Sequence, residues 1–321
     1  MKPSVIVLSG PTAVGKTALS TALAKRLGAE IISADSMQVY RGMDIGTAKV
    51  TDAEKAGIPH YMIDVADPSE AFSVADYVRT ARPVLLDIAN RGKAVMIVGG
   101  TGFYIQALLK DLEFDLSDNP NPLRAELAER AEKEGVDKLH EQLKSLDPSA
   151  AERIHPNNKK RLIRALEFCL TSGRPISELN REQSDKESPY RILYLVLDLP
   201  RDQLYSRIDK RVEFMLKNGL IEEVRQLRQK GVPAGSTAMQ GIGYKEILMY
   251  LDGALSLQEA GEKMRLGSRH YAKRQLTWFR REKDAVWIDK SLFENEEALL
   301  DELTRRCVGF LSKAESHDSA K

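Results

Sequence analysis

The chain has 321 residues, 42% apolar and 30% charged, which is enough for one large core or for a core domain that carries an inserted one. Its net charge of +1 excludes a uniformly basic nucleic-acid-binding coat and leaves room for local basic patches. Two isolated cysteines, no signal peptide and no membrane-length apolar run predict a cytoplasmic protein without a disulfide framework, a zinc site or a membrane partner.

The first motif follows the first predicted strand. A β-branched apolar run at residues 5–8 predicts a buried parallel strand, and it leads through GPTAVGKT into a helix over residues 18–27. This spacing is typical of a P-loop, whose backbone amides and helix N-terminus hold phosphate oxygens, whose lysine neutralises them and whose threonine ligates Mg²⁺. The predicted phosphate-binding residues are Gly10, Pro11, Thr12, Ala13, Val14, Gly15, Lys16 and Thr17, with Thr17 as the metal ligand.

The next elements continue an alternation of strands and helices. We expect a strand over residues 30–34, a loop over 41–55, a strand over 60–65, a helix over 73–90 that Pro83 bends or splits, and a strand over 94–98. Asp35 follows the second strand, and ligands of open α/β sheets collect at the carboxyl ends of strands, so Asp35 should lie near the P-loop. In the second glycine-rich turn, GGTGFY, Thr101 is either a site residue or an ordinary helix N-cap.

The alternation stops near residue 116. Up to residue 189 we predict amphipathic helices alone, over residues 121–134, 136–145 and 157–172. The expected organisation is a core domain of residues 1–115 and 190–312, a helical insertion of residues 116–189 and a flexible tail of residues 313–321.

The core then resumes. The expected order is a strand over residues 192–198, a helix with Arg207 and Arg211 one turn apart, a loop over 236–246, a helix over 257–283 and a strand over 286–289. The two arginines could clamp a phosphate, or they could pair with acids as on any helix.

Two predicted helices carry basic clusters. In the insertion, HPNNKKRLIRALE places four cations in the first turns of a helix, where they oppose the helix dipole, so either a polyanion binds there or the face is solvated. Near the C-terminus, residues 265–283 hold seven Lys or Arg and one acid, a local charge of +6, with Arg265, Arg269 and Lys273 at four-residue spacing. A polyanion explains this asymmetry better than solubility does.

These features narrow the chemistry. A P-loop alone is compatible with an ATPase, a GTPase or a small-molecule kinase, but no strand ends in a Walker-B acid with GTPase-type base-reading motifs. Asp35 occupies the place where small-molecule kinases hold the acceptor hydroxyl. We therefore predict a P-loop NTPase-like α/β protein, a parallel sheet flanked by helices with an all-helical insertion, that transfers a phosphate-activated group to a nucleic acid.

The motifs also resemble a known family. GPTAVGKT, ADSMQVYRGMDIGTAK, GGTGFY, HPNNKKRLIRALE, QGIGYKE and RQLTWFRRE, in this order, are similar to those of bacterial tRNA dimethylallyltransferases (tRNA isopentenyltransferases) from the N-terminus to about residue 290. The resemblance implies transfer of a dimethylallyl group from dimethylallyl diphosphate to N6 of the adenosine 3′ of the anticodon in tRNA, giving N6-isopentenyladenosine and diphosphate. The implied catalytic residues are Asp35 at the amine, Thr101 beside the leaving group, and Lys16, Arg207 and Arg211 at the diphosphate, with Mg²⁺ as cofactor.

The resemblance also implies a tRNA-binding set, in which the amide of Gln38 would read the edge of the adenine. Its members are Asp35, Ser36, Met37, Gln38, Thr101, Lys160, Arg161, Leu162, Ile163, Arg164, Gln240, Gly241, Gly243, Tyr244, Lys245, Arg274, Gln275, Trp278 and Arg281. Three alternatives stay open: an adenylate dimethylallyltransferase, which would need neither the insertion nor the basic helix, a P-loop small-molecule kinase, and a non-catalytic RNA-binding protein, for which Asp35 and Lys16 would be dispensable. A monomer is expected.

Overall fold

The computed structural model describes residues 2–112, 114 and 122–315. Of these, residues 314 and 315 are described by their backbone alone. The strands are β1 (Ser4–Ser9), β2 (Glu30–Ala34), β3 (His60–Tyr61), β4 (Val95–Gly99), β5 (Arg191–Asp198) and β6 (Val286–Asp289). The helices are α1 (Lys16–Leu27), α2 (Asp52–Lys55), α3 (Val74–Asn90), α4 (Gly102–Leu109), α5 (Pro122–Lys133), α6 (Val136–Leu146), α7 (Pro148–Arg153), α8 (Lys159–Ser172), α9 (Ile176–Asp185), α10 (Arg201–Lys217), α11 (Leu220–Gln229), α12 (Tyr244–Leu251), α13 (Leu257–Phe279) and α14 (Glu296–Glu315), with a 3₁₀ turn at Lys290–Leu292.

The strands form one parallel sheet in the order β3-β2-β4-β1-β5-β6. The apolar runs of β1, β2 and β4 are buried, as expected of strands covered on both faces. Because all six strands point the same way, the P-loop, Asp35 and Thr101, which follow β1, β2 and β4, lie at the same edge of the sheet. The predicted fold class, a P-loop-type parallel sheet flanked by helices, is confirmed.

The third strand is shorter than predicted. It covers two residues of the expected six because Met62 and Asp64 have φ angles of +63° and +56°. This left-handed backbone cannot continue a strand, although the local sequence is apolar and β-branched.

Helix α3 is continuous, so the prediction that Pro83 splits it is wrong. Pro83 is exposed, and so is Arg79, whose carbonyl group loses its helical partner. Water can satisfy that carbonyl on the exposed face. The opposite face buries Tyr77, Leu85 and Ile88, and a capping box at Ser73 fixes the helix start.

Several helices were missing from the sequence prediction. Helix α2 lies in the predicted loop over residues 41–55 and begins with a capping box at Thr51 and Glu54. Helices α11 and α14 were also missed, and α12 begins inside the predicted loop over residues 236–246. None of the helices in the described part of the chain is long and apolar enough to cross a membrane.

The chain divides into two compact units, Met1–Asp111 with Pro189–Lys321, and Leu112–Ser188. The second unit has its own apolar core, to which Leu127, Leu139 and Leu166 belong. It also contains α7 and α9, which the sequence did not predict. The predicted starts of the insertion (residue 116) and of its first helix (residue 121) lie outside the described residues, as do residues 316–321 of the predicted tail; residues 313–315 continue α14.

Candidate active site

The P-loop turns tightly between β1 and α1. Gly15, at the N-cap of α1, has a left-handed φ of +92°. A Cβ atom built on Gly10 would lie 2.6 Å from the carbonyl oxygen of Leu197, so this position also requires glycine. Lys16 folds back over the loop, and its Nζ donates to the carbonyl oxygens of Gly10 at 2.9 Å and Pro11 at 2.8 Å.

Lys16 and Arg211 are two cations that both interact electrostatically with Asp35. Burial lowers the pKa of Lys16 to about 8; Asp35 raises this pKa and Arg211 lowers it further. Burial also lowers the pKa of Arg211, while Asp35 opposes that shift. Arg211 reaches the site from α10 and donates to the carbonyl oxygen of Thr47 at 3.1 Å. The structure therefore gathers two cations and one carboxylate beside the P-loop.

Asp35 is held by the backbone that follows it. Its Oδ1 accepts from the N–H groups of Met37 at 2.9 Å and Gln38 at 3.4 Å, which fixes the carboxylate in one orientation. Among residues 2–112, 114 and 122–315, no group donates a hydrogen bond to the other carboxylate oxygen of Asp35, Oδ2. This second oxygen is available to a substrate donor.

Thr101 connects the second glycine-rich turn to the Asp35 segment. It occupies the N-cap position of α4, but its hydroxyl makes no capping bond. Instead its Oγ1 accepts from the N–H of Ser36 at 3.0 Å, and its own N–H donates to the carbonyl oxygen of Ala34 at 3.0 Å. The hydroxyl therefore does not cap the helix, and a role of Thr101 in the site stays a prediction.

A cavity of about 340 Å³ adjoins these residues. This volume is within the range of small-molecule sites, roughly 300–1,000 Å³. The polar part of its lining includes Thr12, Asp35, Ser36, Thr47, Arg211, Gln240, Lys245, Ser268, Tyr271 and Arg274, and the apolar part includes Met37, Ile208, Val212, Met215, Ile242 and Met264. A cavity that combines apolar side chains with a carboxylate, two arginines and a lysine suits a ligand that joins an apolar group to a charged one.

Gln275 is not placed to contact RNA. Its side chain is buried, Oε1 accepts from the N–H of Thr12 at 2.8 Å, and Nε2 donates to the carbonyl oxygen of Gly100 at 2.9 Å. The amide thus joins the P-loop to the second glycine-rich turn. Trp278 likewise packs against the backbone of Gly102, where a Cβ would lie 2.1 Å from its ring. Gln275 therefore supports the site from inside the fold, whereas the partly buried Trp278 stays a predicted tRNA contact.

Gln38 also differs from its prediction. Its amide NH₂ donates to the carbonyl oxygens of Thr47 and Ala48, both at 3.3 Å. Both donor hydrogens are used, so the amide braces the loop over residues 41–55 and offers no free donor to an adenine edge.

The QGIGYK segment forms one wall of the cavity. Tyr244 is buried and its hydroxyl donates to Glu223 at 2.6 Å, while Glu223 also accepts three N–H groups of the loop, from residues 44–46. Gly243 has a φ of +99° before α12. Of this segment, Gln240, Gly241, Tyr244 and Lys245 line the cavity.

The basic cluster of the insertion is divided between surface and interior. Lys160 and Arg161 are exposed on α8. The side chains of Leu162 and Ile163 lie in the core of the insertion, which removes them from the tRNA-binding set. Arg164 is half exposed and forms an ion pair at 3.0 Å with Glu167, whose side chain is buried.

Part of the positive charge of the basic helix α13 is paired with acids of α10. Arg269 pairs with Asp209 of α10 at 2.6 Å, and Arg265 lies 3.9 Å from Glu213 of the same helix. Lys273, one turn further along, is exposed. The first half of the predicted cationic stripe therefore holds α13 against α10.

The cations in the second half of α13 and directly after it are exposed. Arg274 lies 5.8 Å from the ring of Tyr271, and Arg281 lies 5.5 Å from the ring of Trp278. Burial raises the pKa of Tyr271 to about 12, so its phenol stays neutral beside the cavity. Tyr271 is a cavity residue that the sequence did not predict.

Arg207 reaches the P-loop, as predicted: a Cβ built on Gly15 would lie 3.3 Å from its Nη2. Lys290 reaches the same point and was not predicted. Its place after the last strand, at the carboxyl edge of the sheet, is the one signal that could have found it.

The residues around Thr17 fit a magnesium ion that is held mainly by the phosphate oxygens of a bound substrate. Thr17 and Asp35 line a smaller cavity of about 50 Å³ next to Lys16. Within the described part of the chain, no group of three His, Cys, Asp or Glu side chains is placed to hold a metal by itself. Mg²⁺ commonly takes one or two protein oxygens and completes its shell with phosphate oxygens and water, which this donor set allows.

Comparisons with known proteins place the chain in a family. The sequence model of IPP transferases matches residues 38–282. A tRNA dimethylallyltransferase of Lachnoclostridium phytofermentans is 50% identical over 305 residues, which cover 95% of this chain and 97% of that protein. The chain belongs to the IPP transferase family. Its relative in Bacillus subtilis, also named a tRNA dimethylallyltransferase, is 50% identical over 288 residues, covering 90% and 91% of the two chains.

Solved structures of IPP transferases share the fold. The tRNA isopentenylpyrophosphate transferase of Bacillus halodurans matches with a TM-score of 0.74 and 43% identity, over 99% of this chain and 100% of that one. A eukaryotic dimethylallyltransferase acting on tRNA matches with a TM-score of 0.77 and 32% identity, over 89% and 74%. The family predicted from the motifs is confirmed, and the protein is a transferase.

Proposed function

We propose that this IPP transferase moves a dimethylallyl group from dimethylallyl diphosphate to N6 of the adenosine 3′ of the anticodon in tRNA. One observation carries the proposal. The cavity is lined by Asp35 and Arg211. Both interact electrostatically with Lys16, which belongs to the P-loop. A prenyl group in that cavity would have its diphosphate at the P-loop and its reactive carbon near a carboxylate.

The reaction needs charge stabilisation at the diphosphate. As the allylic C–O bond breaks, its electron pair goes to the diphosphate oxygen and the allylic carbon becomes electrophilic. The P-loop amides, Lys16 and Arg211 stand where that negative charge grows, and preorganised cations there lower the barrier. Mg²⁺ on Thr17 would supply further charge neutralisation at the same oxygens.

The adenine amine that accepts the prenyl group must lose a proton to a base. The N6 lone pair of adenine is delocalised into the ring, so the amine attacks well only as it loses a proton. The free Oδ2 of Asp35 takes that proton while the new C–N bond forms, and Oδ1 stays fixed by backbone N–H groups. The balance is one C–O bond broken, one C–N bond formed, and one proton transferred from N6 to Asp35.

The tRNA would bind by its anticodon loop. A loop base can leave its stack and enter the cavity, where Arg274 and Gln240 lie in the lining. The exposed cations Lys160, Arg161, Lys273 and Arg281 would contact phosphates. We propose that the protein works as a cytoplasmic monomer; its two free, buried cysteines suit a reducing compartment.

The decisive experiment is a transfer assay. Radiolabelled dimethylallyl diphosphate and Mg²⁺ are incubated with the protein and, in parallel, an unmodified anticodon stem-loop, AMP or ATP. We expect label on the stem-loop alone. Label on AMP or ATP would favour an adenylate dimethylallyltransferase, and ATP turnover without prenyl transfer would favour a small-molecule kinase.

A matched variant tests the role of Asp35. Asp35→Asn keeps the oxygen that accepts from the backbone but cannot take a proton. We expect its single-turnover rate to fall by about 10²–10⁴-fold with tRNA affinity within about twofold of the unchanged protein. Equal losses of rate and affinity would refute the assignment of Asp35 as the proton acceptor.

A further inference from the structure

Lys290 lies at the P-loop although it is far from it in sequence. It follows β6, so it begins at the same edge of the sheet as the P-loop. Its side chain is only 7% exposed, and its Nζ donates to the carbonyl oxygen of Val14 at 3.1 Å. A lysine so well buried is unusual unless its charge has a partner.

A second cation, Arg207, reaches the same point of the P-loop as Lys290. A Cβ built on Gly15 would lie 3.0 Å from Lys290 Nζ and 3.3 Å from Arg207 Nη2, so both groups reach one point of the P-loop. The one carboxylate within 4.0 Å of Lys290 Nζ, over the residues that the structure describes, is Glu296, which is 81% exposed. Burial, and then Arg207, lower the pKa of Lys290.

This arrangement is unfavourable for the protein alone. Two cations reach one point of the P-loop, the side chain of Lys290 is buried there, and the acid beside Lys290 is solvated. A neutral donor such as a glutamine amide would hold the Val14 carbonyl without the repulsion. A bound anion removes the conflict because it pairs with both cations.

We propose that Lys290 is a further diphosphate-binding residue of this enzyme. Its ammonium group and the Arg207 guanidinium hold the diphosphate at the Val14–Gly15 end of the P-loop, whereas Lys16 lies at the Gly10–Pro11 end. The inference rests on the proposed function, which places the diphosphate of the prenyl donor at this loop.

The test measures binding of dimethylallyl diphosphate with Mg²⁺ by calorimetry, without turnover. Lys290→Met removes the charge and keeps the length, Lys290→Arg keeps the charge, and Lys230→Met on the exposed end of α11 is the matched control. We expect Lys290→Met to weaken binding about ten- to hundredfold, as for loss of a charge-assisted hydrogen bond, and Lys290→Arg to restore most of it. The control should bind as the unchanged protein does, and tRNA affinity should not change in any variant.

A second readout separates ligand binding from a structural role. Lys290→Gln keeps a donor for the Val14 carbonyl while it relieves the repulsion with Arg207, so its ligand-free form should unfold at the same temperature as the unchanged protein or a higher one. A lower unfolding temperature together with weaker binding would show that Lys290 braces the P-loop, and unaltered diphosphate binding would overturn the inference alone. Failure of the unchanged protein to bind dimethylallyl diphosphate would overturn the proposed function and the inference with it.

Discussion

Replacing the buried Gln275 by leucine should lower the stability of the protein strongly. Leucine is apolar and suits a buried position, but it makes neither of the two hydrogen bonds of the glutamine amide. The N–H of Thr12 and the carbonyl of Gly100, which belong to the two glycine-rich turns, are then left without partners. The P-loop loses its tie to the turn that holds Thr101.

The magnitude follows from the geometry. The residue is 5% exposed, and a Cβ on Gly100 would lie 2.2 Å from Gln275 Nε2, so water has no room to replace the amide. A buried backbone group without a partner costs about 1–3 kcal/mol. Two such groups give an expected loss of about 2–6 kcal/mol, against a total stability of about 5–15 kcal/mol for a typical protein.

Urea unfolding measures the loss, and α13 itself supplies the control. Gln258 is exposed near the start of the same helix, and its amide bonds Glu262 at 3.2 Å, so Gln258→Leu should change stability by less than about 0.5 kcal/mol. Where Gln275→Leu still folds, its KM for dimethylallyl diphosphate should rise more than its affinity for tRNA changes. Equal stabilities of the two variants would show that the bridge between the turns is energetically unimportant.

Two further predictions concern charge. Because Lys16 is a cation only below its pKa of about 8, affinity for dimethylallyl diphosphate should fall as the pH rises through about 8, and Lys16→Arg should flatten that profile; the same pH dependence in both proteins would assign it to another group. Replacing Lys273 and Arg274 by alanine should weaken tRNA binding and reduce the slope of log affinity against log salt by about 1–2. Arg269→Ala, which breaks an internal pair with Asp209, should lower stability and leave that slope unchanged.

The sheet and the P-loop could be predicted because their signals are local. A run such as VIVL is buried on both faces of a parallel sheet, so its apolar character shows in the sequence itself. The P-loop needs glycine at fixed spacing for steric reasons. Once the strands were ordered, Asp35 and Thr101 followed, because the carboxyl ends of parallel strands share an edge.

The remaining site residues act through partners that are distant in sequence. Gln275 bonds a P-loop N–H 263 residues away, and Lys290 bonds a P-loop carbonyl 276 residues away. No local pattern marks such a contact, and both residues occur in segments whose composition favours other roles. The RQLTWF run that contains Gln275 resembles an RNA-binding surface by charge, although its amide lies inside.

The distribution of charge on α13 indicates how RNA and prenyl donor would meet. The first cations of the stripe are used by acids of α10, so the charge left for phosphates begins at Lys273 and continues to Arg281. This is the same stretch whose Arg274 lines the cavity and whose Gln275 holds the P-loop. Phosphates bound there would flank the base that enters the cavity, and the helix would transmit their position directly to the diphosphate site. Under the proposed function, this single helix would set the distance between the two substrates.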